Sequence, residues 1–196
     1  MDALRREFLK RAGIGIAAAA SVGPPAAPHP PGTEAGPFDV RRFGATGDGQ
    51  SIDTAAVNHA IDAAAAAGGG SVRFPQGTYA CYSIHLKSNV QLHLEPGATI
   101  LAAETPMEGT ASGGYDAAEG NSGDNKFQDY GHSHWHNSLI WGEDLHDIGI
   151  VGPGLIYGKG LSRGAGHDTP RAEAPGVGNK AIALKNCRNV LLKDFS

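Results

Sequence analysis

From Ser71 onward the hydrophobic pattern of this chain has a period of two, and its single helical stripe lies immediately before that point. Val57, Ala60, Ile61 and Ala64 recur at helical spacing within Asp53 to Ala67. Asp53 stands where a carboxylate can cap a first turn by accepting a backbone N–H. Gly68-Gly69-Gly70 supplies the left-handed backbone that ends a last turn. Val72 and Phe74 then alternate, followed by Ile84 and Leu86, and by Val90, Leu92 and Leu94. Pro75-Gln76-Gly77 and Pro96-Gly97 turn the chain between runs. Short strands with frequent turns and one helix exclude an α/β sandwich, which needs more helices, and point to an all-β architecture.

The strand runs repeat one another. Ile84-His85-Leu86-Lys87 with Asn89-Val90-Gln91-Leu92 is echoed by Ile182-Ala183-Leu184-Lys185 with Asn189-Val190-Leu191-Leu192. Leu139-Ile140-Trp141 with Asp147-Ile148-Gly149-Ile150 is a looser copy. The spacing between copies varies, which a β-solenoid accommodates because loops of any length can leave a coil between fixed strands. Each Asn-Val or Asp-Ile pair suits a corner where the polar residue turns the backbone and the next side chain points inward. A solenoid exposes its first coil, and the helix from Asp53 to Ala67 is placed to cover it. The run from Val190 to Phe195 reads as a terminal edge without such a cover. The expectation is therefore a coil stack incomplete at its carboxyl end, the amino-terminal part of a longer protein.

Two regions are predicted. Residues 1–31 read as an export signal with a Pro/Ala-rich linker, and 32–196 as the β-helix region. Arg5-Arg6 precedes an uncharged stretch from Ala12 to Val22, which is too short for a stable membrane span of about 20 residues. This is a twin-arginine pattern; the alternative, an amphipathic helix with an accidental Arg pair, lacks a polar face. The expected location is periplasmic or extracellular. A net charge of −4 and the absence of basic runs beyond the leader argue against nucleic acid as a partner. Twenty-nine glycines without a collagen period fit a turn-rich fold. Two cysteines, Cys81 and Cys187, lack metal or redox spacing and read as small side chains in different coils.

The segment Phe38-Asp39-Val40-Arg41-Arg42-Phe43-Gly44-Ala45-Thr46-Gly47-Asp48-Gly49, followed by Asp53-Thr54, the helix, the glycines and Val72-Arg73-Phe74-Pro75-Gln76-Gly77-Thr78-Tyr79, resembles the opening of pectin-degrading right-handed β-helix proteins. The likeness is to family 28 glycoside hydrolases, the polygalacturonase-like enzymes, within the pectate-lyase superfamily. Gly152-Pro153-Gly154 to Gly160 resembles a glycine-rich segment of the same family, with Tyr157 where an aspartate is usual. The resemblance implies a right-handed parallel β-helix with a capping helix and inverting hydrolysis of an acidic plant polysaccharide such as pectin. It also implies partnership with the twin-arginine export machinery through the leader, and neither metal nor cofactor. A lyase or epimerase of the superfamily and a non-catalytic carbohydrate-binding solenoid are the alternatives.

Inverting hydrolysis needs two carboxyl groups flanking the bond. The family's Asn-Thr-Asp, Gly-Asp-Asp, Gly-His-Gly and Arg-Ile-Lys motifs do not occur, so no catalytic residue is assigned. Gly166-His167-Asp168 is too incomplete to carry a role, and Glu143-Asp144 with Asp147 reads as a group of solvated turn residues. Tyr130, His132, His134 and Trp135 are the candidate sugar contacts. In an extended segment His132, His134 and His136 share one face, and aromatic faces pack against sugar C–H surfaces. The same imidazoles could bind metal, but no carboxylate or cysteine partner is assigned to them.

Overall fold

A computed structural model of the chain describes residues 38–105, 114–119, 134–162 and 175–196. The leader within 1–31, Tyr130, His132 and the Gly166-His167-Asp168 triplet lie outside the described residues. Among the described residues twelve strands follow in order: β1 Phe38–Asp39, β2 Asp48–Ile52, β3 Gly70–Phe74, β4 Gly77–Cys81, β5 Ile84–His85, β6 Val90–Leu94, β7 Ala98–Ala102, β8 Ile140–Glu143, β9 His146–Val151, β10 Leu155–Tyr157, β11 Ile182–Lys185 and β12 Arg188–Lys193. The helix α1, Thr54–Ala66, lies between β2 and β3.

The strands form three parallel sheets. Sheet A is ordered β1-β3-β6-β9-β12, sheet B β10-β7-β4-β2 and sheet C β11-β8-β5. Successive strands from β3 onward visit A, B and C in turn, so each circuit lays one coil on the last. This is a right-handed parallel β-helix, the hand that parallel crossovers prefer. In the opening coil, α1 occupies the place of a sheet C strand.

The repeats legible in the sequence become stacks. Ile84, Ile140 and Ile182 align through the sheet C register. Val72, Leu92, Ile150 and Leu192 align in sheet A. Tyr79, Ile100 and Ile156 align in sheet B. Strands lie about 4.8 Å apart, so like side chains pack directly on one another, and the large inward residues as far as Ile150 are fully buried. Asn89, Asp147 and Asn189 take positive φ at the corner between sheets C and A. Short polar side chains tolerate that conformation. Val190, Leu191 and Leu192 on β12 are 38–48% exposed.

The helix stripe is as the sequence implies: Val57, Ala60, Ile61 and Ala64 are fully buried. Its amino-terminal cap is not. Asp53 is buried, but its carboxylate accepts from Thr46 N (2.7 Å) and Gly47 N (3.0 Å) in the preceding loop and caps no helix N–H. The loop from Thr46 folds back over the helix start, and two aligned amides there outcompete the first turn. Asn58 carries a role that sequence did not suggest. Its amide donates to Ser83 O (3.1 Å) and accepts from His85 N (2.9 Å), and so takes the place of a neighbouring strand along β5. The edge that α1 covers is thereby hydrogen-bonded as well as buried.

Both long excursions leave from one corner. The first coil turns from β4 to β5 through Tyr82 and Ser83 alone, whereas residues 103–139 intervene between β7 and β8, and 158–181 between β10 and β11. The described parts of the two excursions are joined. Tyr115 N donates to Gly176 O (3.0 Å), Asn179 N to Asn137 O (2.8 Å) and Asn137 Nδ2 to Val177 O (3.1 Å). They border the outer face of sheet C. Cys81 and Cys187 are free thiols in different coils. Among the described residues no helix is long and apolar enough to cross a membrane.

Candidate functional site

Strand alternation turns Ile84, Ile140 and Ile182 inward and leaves the next residue of each strand on the outer face. His85 and Trp141 are neighbours in register there, and Glu143 and Lys185 form the next outward pair. Residues of the first excursion cover this row. Asp116 Oδ2 lies 2.7 Å from His85 Nε2 and accepts from Trp141 Nε1 at 2.9 Å. His136 stacks against Trp141 with centroids 4.2 Å apart, and His85 lies 5.1 Å away on the same indole.

Glu119 fixes the approach of the second aromatic pair. It accepts from Trp135 N (2.8 Å) and His136 N (2.9 Å), and its Oε1 lies 3.0 Å from His136 Nδ1. Glu143 receives Trp135 Nε1 (3.3 Å), meets His136 Nε2 (3.3 Å) and pairs with Lys185 Nζ at 2.9 Å. That ammonium also sits 3.6 Å from the centroid of the Trp135 ring, in cation–π geometry. The result is an aromatic surface in which three carboxylates alternate with two imidazoles and an ammonium.

Of the sequence candidates, Trp135 joins this cluster. His134 is 1% exposed and faces Glu119, its Nδ1 3.7 Å from Oε2, so its ring is packed beneath the surface. Tyr130 and His132 lie outside the described residues. The expectation that the His-x-His-x-His run lacks a carboxylate partner does not hold: Glu119 meets both His134 and His136. Glu143, expected to be a solvated turn residue, belongs to the cluster because it ends β8 on the outward side. Asp144 lies in the bend after β8, while Asp147 is the second residue of β9, each with φ of 55°. His85, Asp116, Trp141 and Lys185 were not singled out from sequence. Only the outward phase of the Ile84, Ile140 and Ile182 repeats could have indicated His85 and Trp141. Among the described residues no group of three His, Cys, Asp or Glu side chains has metal-holding geometry.

Burial pushes the Asp116 carboxyl up, but hydrogen bonds from His85 and Trp141 outweigh it and leave the group below its ordinary value. The Lys185 hydrogen bond holds Glu143 down, against a smaller opposing effect of burial. Both groups therefore bind protons less readily in the folded chain than in the unfolded one. Their stabilising contribution is complete above the ordinary carboxylate range and is lost as pH falls through the depressed folded values. Melting temperature is expected to drop across that acid window. Glu143→Gln should flatten the slope, and an unchanged slope in that variant would remove Glu143 from the account.

The chain matches the family model described as rhamnogalacturonase A/epimerase, pectate lyase-like, over residues 38–138. It belongs to that family. Mannuronan C5-epimerase AlgE3 of Azotobacter vinelandii is 64% identical over 42 residues, which are 21% of this chain and 2% of the epimerase. Plasmin and fibronectin-binding protein A of Streptococcus pneumoniae is 52% identical over 66 residues, 33% of this chain and 9% of that protein. The family 28 exopolygalacturonase of Yersinia enterocolitica shares the fold, with a TM-score of 0.56 and 24% identity over 82% of this chain and 34% of the enzyme. The chain thus corresponds to a small part of each relative's length.

Proposed function

We propose that this pectate lyase-like chain comes from an exported enzyme that hydrolyses an acidic plant polysaccharide such as pectin, and that the outer face of sheet C holds the sugar chain. Arg5-Arg6 and the uncharged stretch after them support export by the twin-arginine route. The observation that carries the binding assignment is Trp141. Its indole, carried by β8, is hydrogen-bonded to Asp116 and flanked by the His85 and His136 imidazoles. An aromatic surface suits sugar C–H groups, and the Lys185 ammonium, paired with Glu143, offers a donor that a uronate carboxylate could share.

A proton donor for glycoside cleavage needs a carboxyl raised towards neutral pH. Asp116 and Glu143 are shifted the opposite way, and each is committed to a donor. Neither therefore serves as the proton donor, and the cluster is read as a binding surface. Calorimetric titration with a galacturonate oligomer tests the reading. Trp141→Ala is expected to weaken binding roughly tenfold, equivalent to about 1.4 kcal/mol. The purified chain is expected to bind without releasing reducing ends. Unaltered affinity in the variant, or turnover that disappears in Asp116→Asn, would overturn the assignment.

Epimerisation or elimination is the second reading. It is favoured by the likeness to mannuronan C5-epimerases and by Lys185, whose charge could oppose a uronate carboxylate during proton abstraction. An unsaturated or epimerised product from the enzyme, in place of new reducing ends, selects it. A binding-only solenoid is supported by the likeness to the pneumococcal adhesin, and oligomer binding without any product in the whole protein would select that alternative.

A further inference from the structure

His136 has a carboxylate at each ring nitrogen. Glu119 Oε1 lies 3.0 Å from Nδ1, and Glu143 Oε2 lies 3.3 Å from Nε2. The two acids come from different parts of the fold. Glu119 belongs to the described segment 114–119 of the first excursion, and Glu143 ends β8 in sheet C. A neutral imidazole has one N–H donor and one acceptor nitrogen, and only the imidazolium donates at both. Between two carboxylates, the neutral ring sets a lone pair against one of them. The cation makes two charge-assisted bonds instead. The other charged groups around it are engaged elsewhere. His134 Nδ1 lies 3.7 Å from Glu119 Oε2, and Lys180 donates to the His134 carbonyl. Lys185 meets Glu143 at Oε1, the oxygen that His136 leaves free. Asp116 and His85 pair with each other beside Trp141. The His136 side chain is 32% exposed, so solvent protons reach it.

We infer that His136 is a proton-operated clasp between the first excursion and sheet C, closed while its imidazole is cationic and released when the second proton leaves. Histidine changes charge between about pH 5 and 8. Closing the clasp takes up a proton, so it is closed on the acid side of that window and opens as pH rises through it. Release acts directly on the aromatic surface. The His136 ring stacks on Trp141 at 4.2 Å and meets Trp135 edge-on at 5.5 Å. A ring that lets go of one carboxylate also leaves its place between the two indoles. Where sheet C binds a uronate, the clasp makes that binding strongest in mild acid. This consequence rests on the binding assignment proposed above, and the clasp itself does not.

Trp135 and Trp141 are the two tryptophans of the chain, so tryptophan emission reports this cluster alone. Acrylamide quenching of that emission measures how open the indoles are, without any sugar present. In wild type their accessibility is expected to rise roughly twofold from about pH 5 to about pH 8. His136→Gln should show no such rise. Glu143→Gln should flatten it by keeping the clasp closed, because a neutral imidazole can donate to Glu119 at Nδ1 and accept from the new amide at Nε2. Thermal melting confirms that each variant folds. Equal accessibility at both pH values in wild type would overturn the inference. So would a rise that survives in His136→Gln and disappears in His85→Gln, which would assign the device to the His85–Asp116 pair. A second arm follows trigalacturonate by calorimetry, where wild-type affinity is expected to fall about fivefold or more across the same range. Equal affinity at both pH values would overturn the clasp's control of the surface. Trigalacturonate that binds at neither pH, with the accessibility change intact, would remove the binding assignment and uphold the clasp.

Discussion

Val57→Asp is expected to leave the chain without a cooperative folding transition. Val57 is fully buried, on the stripe that α1 lays over the opening coil. Removing its branched side chain forfeits about 2 kcal/mol of apolar burial. The larger effect comes from the carboxylate, which would enter the buried apolar core that the α1 stripe joins. An unpaired buried charge drives protonation or unfolding. A domain holds only about 5–15 kcal/mol in total. Helix and first coil should separate together, since Asn58 also closes the β5 edge from the same helix. Ala55→Asp, at an exposed position in the first turn of α1, is the matched control. It should shift stability by no more than about 0.5 kcal/mol. Circular dichroism melts of the two variants make the comparison. A Val57→Asp protein that melts with wild type would show that α1 does not seal the coil stack.

Gly152→Ala is expected to be the most damaging change of a single methyl group. Gly152 has φ of 100°, and a Cβ there would sit 2.2 Å from the Leu94 carbonyl oxygen and 2.9 Å from the His93 ring. Leu94 belongs to β6, held between β3 and β9, so its carbonyl cannot retreat without disturbing a sheet. Left-handed backbone at a residue other than glycine carries about 1–3 kcal/mol, and overpacking adds about 1–3 kcal/mol. Gly68 separates the two effects. Its φ is 94°, yet a Cβ would meet nothing within 4 Å. Gly68→Ala should therefore show the conformational part alone. Denaturant midpoints of the two variants should differ clearly, with Gly152→Ala lower. Equal midpoints would mean that the coils yield at this corner.

The sequence by itself determined the solenoid. One helical stripe followed by period-two runs leaves few packings, and the recurring Ile-x-Leu and Asn-Val units are the same positions of successive coils. That information is local, because alternation fixes which side chains point inward and short polar residues mark the corners. Gly152-Pro153-Gly154 was legible as a likeness, but its physical cause is a close approach between coils that no local pattern encodes. The same holds for Asp53. Its position suggested a helix cap, and the loop carrying Thr46 and Gly47 claimed its carboxylate instead.

The sheet C cluster was decided almost wholly by tertiary structure. Trp135 and the histidines around it stood out in sequence, while the carboxylates that organise them come from Glu119 and Glu143, on either side of the segment. Asp116 meets His85 and Trp141 only because residues 114–119, which lie between β7 and β8 in the chain, are set against the outer face of sheet C. Lys185 reaches Glu143 because parallel register places a residue from the following coil about 4.8 Å away. Inward positions repeat under the demand to pack, and so they are readable from a pattern. Outward positions obey no such demand, and their partners are set by where the loops land.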